Sequence, residues 1–367
     1  MNSIIPPEIR GSASCEADEV RRQNSCGDVL QLMKAADYLR VLRPLLPAKM
    51  RTVHWGAYAA ILFHLMVIIV CLHVFRTTEV NPFLLVLSLV MGHSLACLAF
   101  LAHEIAHGAI VGRRSIRYAL ELLLWGLNSF PATLWRRIHN ETHHAETNTV
   151  RDPDRQFRSC ESTSARHLFN TWLMANRSGL KWRPTVLLNF TTYILRHVAS
   201  ALGPSDWKAP FTVVKPKFRR HDRLTIIFEL VLIGIIQSLM LSYAWVSPWS
   251  VIFVLVVPLL VSSAVVMMYI FTNHFLNPLC EHTDPLLGST SVIVPKWMDF
   301  LHSNFSYHTE HHLFPGINPI HYPEVSRLLQ LHFPDRYNRI PLAEAWRRLW
   351  SSPEFMIERK GAAHSGQ

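Results

Sequence analysis

The sequence predicts an all-α integral membrane protein whose four membrane-spanning helices form two hairpins. Half of the 367 residues are apolar. No lysine or arginine occurs between Arg51 and Arg76, between Arg76 and Arg113, or between Arg223 and Lys296. A soluble domain rarely contains such long stretches without a basic side chain, whereas the hydrocarbon core of a bilayer excludes these residues.

Four segments are apolar over the roughly 20 residues that a helix needs to cross a bilayer. They lie at residues 54–75, 82–102, 224–245 and 250–272. The short turns 76–81 and 246–249 join them as two hairpins. The apolar segments 117–131 and 184–201 are interrupted by polar residues and proline, so they are predicted to be interfacial or re-entrant helices.

The basic residues predict an orientation. Of the 36 lysines and arginines, only Arg76 lies in a hairpin turn. The positive-inside rule then places both termini and segment 103–223 in the cytoplasm, with the protein in a bacterial inner membrane or an equivalent one. The net charge of +10 indicates a basic surface that faces anionic lipid headgroups or an acidic protein partner. Because the charge is scattered over a membrane protein, nucleic acid is not an expected partner.

Three regions are predicted along the chain. Residues 1–50 form a cytoplasmic arm without a signal peptide, and the helical pattern at 28–42 suits an amphipathic helix on the membrane face. Residues 51–345 form the membrane domain, and 346–367 form a tail. A further helix begins at Pro341. The six cysteines form no CxxC pair, which disfavours a thiolate metal site or a disulfide framework.

Three short segments outside the spans are rich in histidine. They contain His103 and His107; His139, His143 and His144; and His308, His311 and His312. Residues three or four apart lie on one face of a helix. Each segment is therefore predicted to direct its imidazoles to a common point: His103 with His107, His139 with His143, and the three histidines of the last segment together. Neutral imidazole is a good ligand for iron, copper, nickel and zinc.

The predicted topology brings these segments together. The first continues the second span, and the third follows the fourth span, so an even number of crossings returns both to one membrane face. His274, at the end of the fourth span, is a ninth possible ligand. Nine imidazoles exceed the four ligands of zinc or the six of iron, which favours two metal ions with open positions.

The pattern HxxxH, HxxxHH and HxxHH on paired hairpins resembles the membrane fatty acid desaturase family over roughly residues 50–345. The flanking residues agree: Gly108 after the first box, Asp152-Pro153-Asp154 after the second and Leu313-Phe314-Pro315 after the third. The resemblance implies a cytoplasmic helical cap that holds two ferrous ions, with O2 as the oxidant. It implies iron ligands at His103, His107, His139, His143, His144, His274, His308, His311 and His312.

The resemblance also implies roles for other polar residues. Glu104 is expected to orient a ligand imidazole. Some family members place an asparagine four residues before the histidine after the last span, where it holds a metal-bound water; this chain has Ile270 there. Asn273 or Asn304 is the expected substitute.

Several polar residues elsewhere have more than one interpretation. Asp152 and Asp154 are expected to brace the second box. Glu229 lies inside the third span and is expected to snorkel to the interface. His64 and His93 lie in the middle of spans, where they make core hydrogen bonds or line a polar substrate channel.

The predicted function is O2-dependent desaturation of an alkyl or acyl chain, carried as a fatty acyl lipid or an acyl thioester. The chain lacks a His-Pro-Gly-Gly haem motif and a Gly-x-Gly-x-x-Gly loop, so electrons must come from a separate ferredoxin, rubredoxin or cytochrome b5. The alternatives are a desaturase of a small polar natural product and a hydroxylase or ketolase on the same scaffold. A zinc metalloprotease with Glu104 as general base, or a metal transporter, fits the sequence less well.

Overall fold

The protein is mainly helical over the residues that its computed structural model describes, which are 31–47, 50, 55–110, 113–149, 151–154, 193–203, 218–277, 280 and 282–351. The α-helices in these ranges are α1 (Ala35–Leu42), α2 (Trp55–Thr77), α3 (Phe83–Ala106), α4 (Arg114–Leu127), α5 (Ala132–Trp135), α6 (His144–Glu146), α7 (Arg220–Tyr243), α8 (Val257–His274), α9 (Lys296–Leu301), α10 (His308–Leu313), α11 (Tyr322–His332) and α12 (Leu342–Ser351). Two π-helical segments, Arg136–His143 and Ile252–Val256, precede α6 and α8, and a 3₁₀ turn, Pro319–His321, precedes α11. Residues 193–202 are also helical. Residues 1–30 of the predicted arm and most of the tail at 346–367 lie outside the described residues.

Four long apolar helices confirm the four predicted spans. They are α2, α3, α7 and the continuous helix Ile252–His274. Each has 23 or 24 residues, enough to cross the hydrocarbon core, so the chain fits an integral membrane protein. Helix α3 is the central one, because it packs against α2, α4 and α8. The hairpin arrangement and the cytoplasmic orientation stay predictions.

Helices α3 and α8 approach closely where α3 carries Gly92. A Cβ added to Gly92 would lie 2.6 Å from the Val261 Cβ and 2.7 Å from the Pro258 carbonyl oxygen, so only glycine fits. Pro258 lacks the N–H that an α-helix requires, and the π-helical turn Ile252–Val256 precedes it. The Ser88 hydroxyl of α3 donates to the Phe253 carbonyl oxygen (2.7 Å) in this turn, which satisfies a carbonyl in the apolar layer.

Glu229 of α7 is buried rather than snorkelling to the interface, which corrects the prediction. Its carboxylate accepts hydrogen bonds from the backbone N–H of Thr133 (2.9 Å), from the Thr133 hydroxyl (2.7 Å) and from the Tyr118 hydroxyl (3.1 Å). Thr133 stands in the first turn of α5, whose free N–H groups attract an anion. Glu229 therefore fastens the helix that leads into the second histidine box to a spanning helix.

The N-terminal helix and the third box share a second apolar core. Tyr38 and Leu42 of α1 pack against the segment around α10 and α11. The predicted place of this helix on the membrane face stays a prediction. Asp284 accepts hydrogen bonds from the Tyr38 hydroxyl (2.9 Å) and from Arg336 (2.7 Å), which ties α1 to this core.

A short parallel sheet was not predicted. Its strands β1 (Ser291–Ile293) and β2 (Arg339–Pro341) pair with Ser291 opposite Arg339. The Ser291 hydroxyl donates to the buried Glu310 carboxylate of α10 (2.5 Å). The sheet thus fixes the helix that carries the third box. The helix predicted to begin at Pro341 is present as α12.

Candidate metal centre

The first box forms the end of α3. His103 lies in its last turn and is buried, and His107 is the residue that ends the helix. Gly108 follows in the left-handed region (φ 73°), which lets the chain leave the helix axis directly after the second histidine. A Cβ at Gly108 would come within 2.5 Å of the Arg117 guanidinium, which ends a flexible side chain and can move aside, so it is the backbone conformation that requires glycine.

The second box lies in the π-helix Arg136–His143 and continues into α6. A π-helix bonds each residue to the one five positions away, so it aligns residues i and i+5. His139 consequently shares a cluster with His144, and His143 turns to another cluster. His139 and His143 also meet at Asp154, as the sequence predicted for this pair, but the wider helix divides them between the two all-histidine clusters.

The third box occupies α10, whose six residues are all buried. His308 and His312 are four apart and direct their rings to the same side, with Nε2 atoms 3.1 Å apart. His311 points to a different group of histidines. The three histidines therefore do not share one common point.

All nine predicted ligands lie in two adjacent clusters. The five-histidine cluster contains His103, His107, His139, His144 and His311. The four-histidine cluster contains His143, His274, His308 and His312. Within each cluster one ring nitrogen of every residue lies within 4.8 Å of the corresponding atom of every other residue.

The closest ring nitrogens have separations typical of ligands to one ion. In the five-histidine cluster the Nε2 atoms of His103 and His139 are 2.9 Å apart, and those of His144 and His311 are 3.1 Å apart. In the four-histidine cluster the Nε2 atoms of His274 and His308 are 2.7 Å apart. Two nitrogens bound at about 2.1 Å and at right angles would lie about 3 Å apart.

Glu104 orients two imidazoles of the five-histidine cluster by contacting their Nδ1 atoms. His103 Nδ1 donates to Glu104 Oε1 (2.9 Å), and His311 Nδ1 lies 3.4 Å from the same oxygen. The Tyr322 hydroxyl donates to Glu104 Oε2 (3.1 Å) and contacts His311 Nδ1 (3.1 Å). A carboxylate can only accept, so it fixes the proton on Nδ1 and leaves Nε2 as a lone pair.

Asp152 and Asp154 orient the second box in the same way. His143 Nδ1 donates to Asp152 Oδ1 (2.8 Å), and His139 Nδ1 lies 3.4 Å from Asp154 Oδ2. Tyr193 in turn donates to Asp154 Oδ1 (2.5 Å). The two aspartates therefore brace one histidine of each cluster, as the sequence predicted for the second box.

Most of the buried imidazoles are neutral. Burial, followed by the repulsion between neighbouring imidazoles, lowers the pKa well below the ordinary range for His107, His139, His144, His308, His311 and His312. His143 differs: burial lowers its pKa, but the charges of Asp152 and Asp154 outweigh this and raise the pKa to about 9. Neutral imidazole is the form that binds metal, and a bound cation takes the place of a ring proton.

Ring nitrogens without hydrogen-bond partners also indicate that the two histidine clusters fit metal ions. His107 Nε2 and His143 Nε2 are buried and have no hydrogen-bond partner among the described residues, and one belongs to each cluster. A buried polar atom without a partner requires an explanation, such as an ion or a water molecule. Because all nine donors are imidazole nitrogens without a thiolate, the clusters suit iron and other borderline metals.

The two asparagines predicted near the centre differ in their surroundings. Asn273, next to His274, is fully buried, and both its amide oxygen and its amide nitrogen lack a partner among the described residues. Asn304 lies in a left-handed turn (φ 56°), where its amide donates to the Pro319 carbonyl (3.0 Å). Among the described residues, no hydrogen bond joins Asn304 to either cluster.

Sequence reasoning missed three supporting residues of the site. The Thr147 hydroxyl lies 3.3 Å from His312 Nδ1, and Tyr322 contacts Glu104 and His311. Trp135 stacks on the His139 ring, with ring centroids 4.5 Å apart. Trp135 stands four residues before His139, a spacing that a sequence pattern could reveal. Thr147 and Tyr322 have no regular spacing from the residues they contact.

The fold and the site together define a class of protein. Four apolar helices with two buried histidine clusters fit a membrane protein that binds metal.

Residues 80–341 match the fatty acid desaturase family. The match covers more than half of the chain, and the protein therefore belongs to this family, which suggests an oxidoreductase. No protein in a search of curated sequences matches the chain significantly.

Proposed function

We propose that the protein is an O2-dependent desaturase that introduces a C=C bond into an alkyl or acyl chain, carried as a fatty acyl lipid or an acyl thioester. It uses two iron ions, one in each histidine cluster, and electrons from a separate ferredoxin, rubredoxin or cytochrome b5. The observation that carries the proposal is the division of nine histidines, seven buried and two half-buried, into two adjacent clusters. In the reaction the substrate loses two hydrogens, and O2, two electrons and two protons yield two molecules of water.

Iron in the two clusters supplies the oxidising power to remove hydrogen from an unactivated carbon. The chain's own residues hold the nine imidazoles in place. Glu104 and Asp152 accept hydrogen bonds from the Nδ1–H groups of His103 and His143, which directs the Nε2 lone pairs inward. The buried surroundings exclude water, which protects a reactive oxidant from side reactions.

The geometry does not support a zinc metalloprotease. Such an enzyme uses the glutamate of its HExxH motif as a general base, which must reach a metal-bound water. Here both Glu104 oxygens face other partners, one the Nδ1 side of His103 and the other the Tyr322 hydroxyl. Glu104 is therefore proposed as a residue that positions ligands. Asn273 is proposed as the residue near the metal, because its amide is buried and unpaired among the described residues.

The proposed orientation places both clusters on the cytoplasmic side, where an electron-transfer protein could reach them. It can be tested in a cysteine-free background with Glu79→Cys in the first turn and Asp335→Cys near the third box. A membrane-impermeant maleimide added to intact cells should label the first and not the second. Labelling of both or of the second alone would refute the orientation.

The proposed reaction is tested in a heterologous host by comparative mass spectrometry of lipids and small metabolites. A desaturase yields products that have lost two hydrogens, whereas a hydroxylase yields products that have gained one oxygen. His311→Ala should abolish the product, because His311 lies in the five-histidine cluster. His332→Ala, at an exposed position of α11, is the matched control and should keep it. A product that persists in the His311 variant would contradict the site.

A further inference from the structure

A second polar assembly lies in the apolar layer beside the histidine clusters. The Nε2 atoms of His93 and His302 are 3.1 Å apart, and His302 Nδ1 lies 2.9 Å from the Tyr269 hydroxyl. On the other side of the His93 ring, Nδ1 lies 3.8 Å from the Cys97 thiol. These four side chains, here the polar chain, contain no residue of either cluster. Polar groups inside a membrane are costly, which makes them functional by default.

His93 is the accessible end of the polar chain. From Met91 to Ala106 every residue of α3 is buried except His93, which is half-buried. It continues the exposed apolar stripe of α3 that faces the bilayer, at Leu85, Val86, Leu89 and Val90. A thiol is a weak hydrogen-bond partner, so His93 Nδ1 has capacity for a better one. A molecule that moves in from the bilayer would therefore meet His93 first.

One aromatic layer separates the polar chain from the metal centre. The His302 ring lies 5.1 Å from Phe100, and Phe100 lies 4.6 Å from Phe305, measured between centroids. Phe305 in turn lies 5.1 Å from His103 and 5.2 Å from His308, which belong to different clusters. Ten residues of α3 separate His93 from His103, a distance of about 15 Å along the helix. A chain of about this length bound at His93 would thus span the distance to the first box.

The surroundings favour an uncharged ligand. Burial, and then the nearby His93 and His64, lower the pKa of His302 to about 3, so this ring is neutral. No lysine or arginine occurs between Arg76 and Arg113, so α3 offers no basic partner for an anion. A hydroxyl or a carbonyl oxygen can pair with neutral imidazoles, whereas a carboxylate would remain uncompensated in the bilayer.

We propose that His93 binds an uncharged oxygen function, a hydroxyl or a carbonyl, on an alkyl chain that enters from the bilayer. The substrate class is therefore an oxygenated alkyl chain rather than a plain hydrocarbon segment. This inference rests on the proposed desaturase function, because it assumes that the bound chain reacts at the two clusters, next to Phe305.

The experiment compares the binding of hexadecane and hexadecanol to the iron-loaded protein in lipid nanodiscs. Dissociation constants are obtained by competition with tritiated hexadecanol and corrected for partitioning into empty nanodiscs. A hydrogen bond to His93 predicts that the alcohol binds about fivefold more tightly than the alkane. His93→Leu should remove this preference, and His93→Gln, which keeps a polar side chain, should restore part of it.

The control is His73→Leu, which removes an imidazole from α2 that contacts Tyr243 (3.3 Å) and not the polar chain. It should keep the preference for the alcohol, and all variants should retain their iron. Equal binding of the two chains by the unmodified protein, or an undiminished preference in His93→Leu, would overturn the inference. If the preference is present but no chain is desaturated, the proposed reaction fails and the binding site stands.

Discussion

Replacing Glu104 with glutamine tests whether this carboxylate acts on one cluster alone. Glu104 Oε1 accepts from His103 and lies 3.4 Å from His311 Nδ1, while Oε2 accepts from Tyr322. In Glu104→Gln the amide oxygen can still accept from His103, and the Tyr322 hydroxyl can rotate to accept from the amide nitrogen. The fold is therefore retained, but the negative charge that faces the Nδ1 atoms of two ligand imidazoles is lost.

The loss of such a charge lowers metal affinity by about tenfold to hundredfold, or roughly 1.4 to 2.7 kcal/mol. Only the five-histidine cluster should be affected. The assay measures iron per chain during titration with a chelator. Glu104→Gln should release half of its iron at about tenfold to hundredfold lower chelator concentration, and the other half as in the unmodified protein. Glu324→Gln removes an exposed carboxylate paired with Arg327 (2.7 Å) and should leave both halves unchanged.

A variant of Asp152 applies the same test to the four-histidine cluster. Asp152 contacts His143 of the four-histidine cluster (2.8 Å), and its other oxygen accepts from the Asn148 N–H (2.8 Å). Asp152→Asn should release the iron of the four-histidine cluster first, with some loss of stability, because its amide would face a backbone donor. If either variant shifts both halves of the titration together, or neither half, the carboxylates do not act on separate clusters.

Two further predictions concern helix packing and the π-helix. Gly92→Ala should lower the unfolding free energy by about 1–3 kcal/mol, because its Cβ would overlap Val261 (2.6 Å); Gly234→Ala, with nothing within 4 Å, should be neutral or stabilising in the same denaturation experiment. His144→Ala should deplete the iron of the five-histidine cluster and His143→Ala that of the four-histidine cluster, in the same chelator titration. The opposite result, with His143→Ala depleting the five-histidine cluster and His144→Ala the four-histidine cluster, would indicate a regular α-helix at the second box, because an α-helix aligns His139 with His143.

The spans could be predicted because their cause is local. Hydrocarbon excludes charge, so the intervals without lysine and arginine show where the chain enters the bilayer. The histidine boxes are equally visible, since their spacing within each segment is fixed by covalent structure. Gly108 was noted as a flanking residue, and its left-handed backbone explains why it is glycine.

The division of the histidines between clusters could not be predicted, because it depends on hydrogen-bond register. The same letters HNETHH can form an α-helix or a π-helix, and only the latter aligns His139 with His144. Likewise, Glu229 seemed free to reach the interface because its partner, Thr133, lies 96 residues earlier in the chain. Contacts at such separations leave no periodic signal in a single sequence.

The two histidine dipeptides explain how the clusters are held at a fixed separation. His143 and His144 are consecutive but belong to different clusters, and the same is true of His311 and His312. Consecutive Cα atoms are about 3.8 Å apart, and the ring centroids lie 5.8 Å and 5.7 Å apart in the two pairs. A change in the separation of the clusters would require both dipeptides to deform together. This is difficult because the dipeptides lie on separate helices that are held by different carboxylates, Asp152 for the second box and Glu310 for the third. The histidine dipeptide of the second and third boxes therefore supplies one ligand to each cluster and also fixes the distance between the clusters. A box that ended in a single histidine could supply a ligand to one cluster but could not fix that distance.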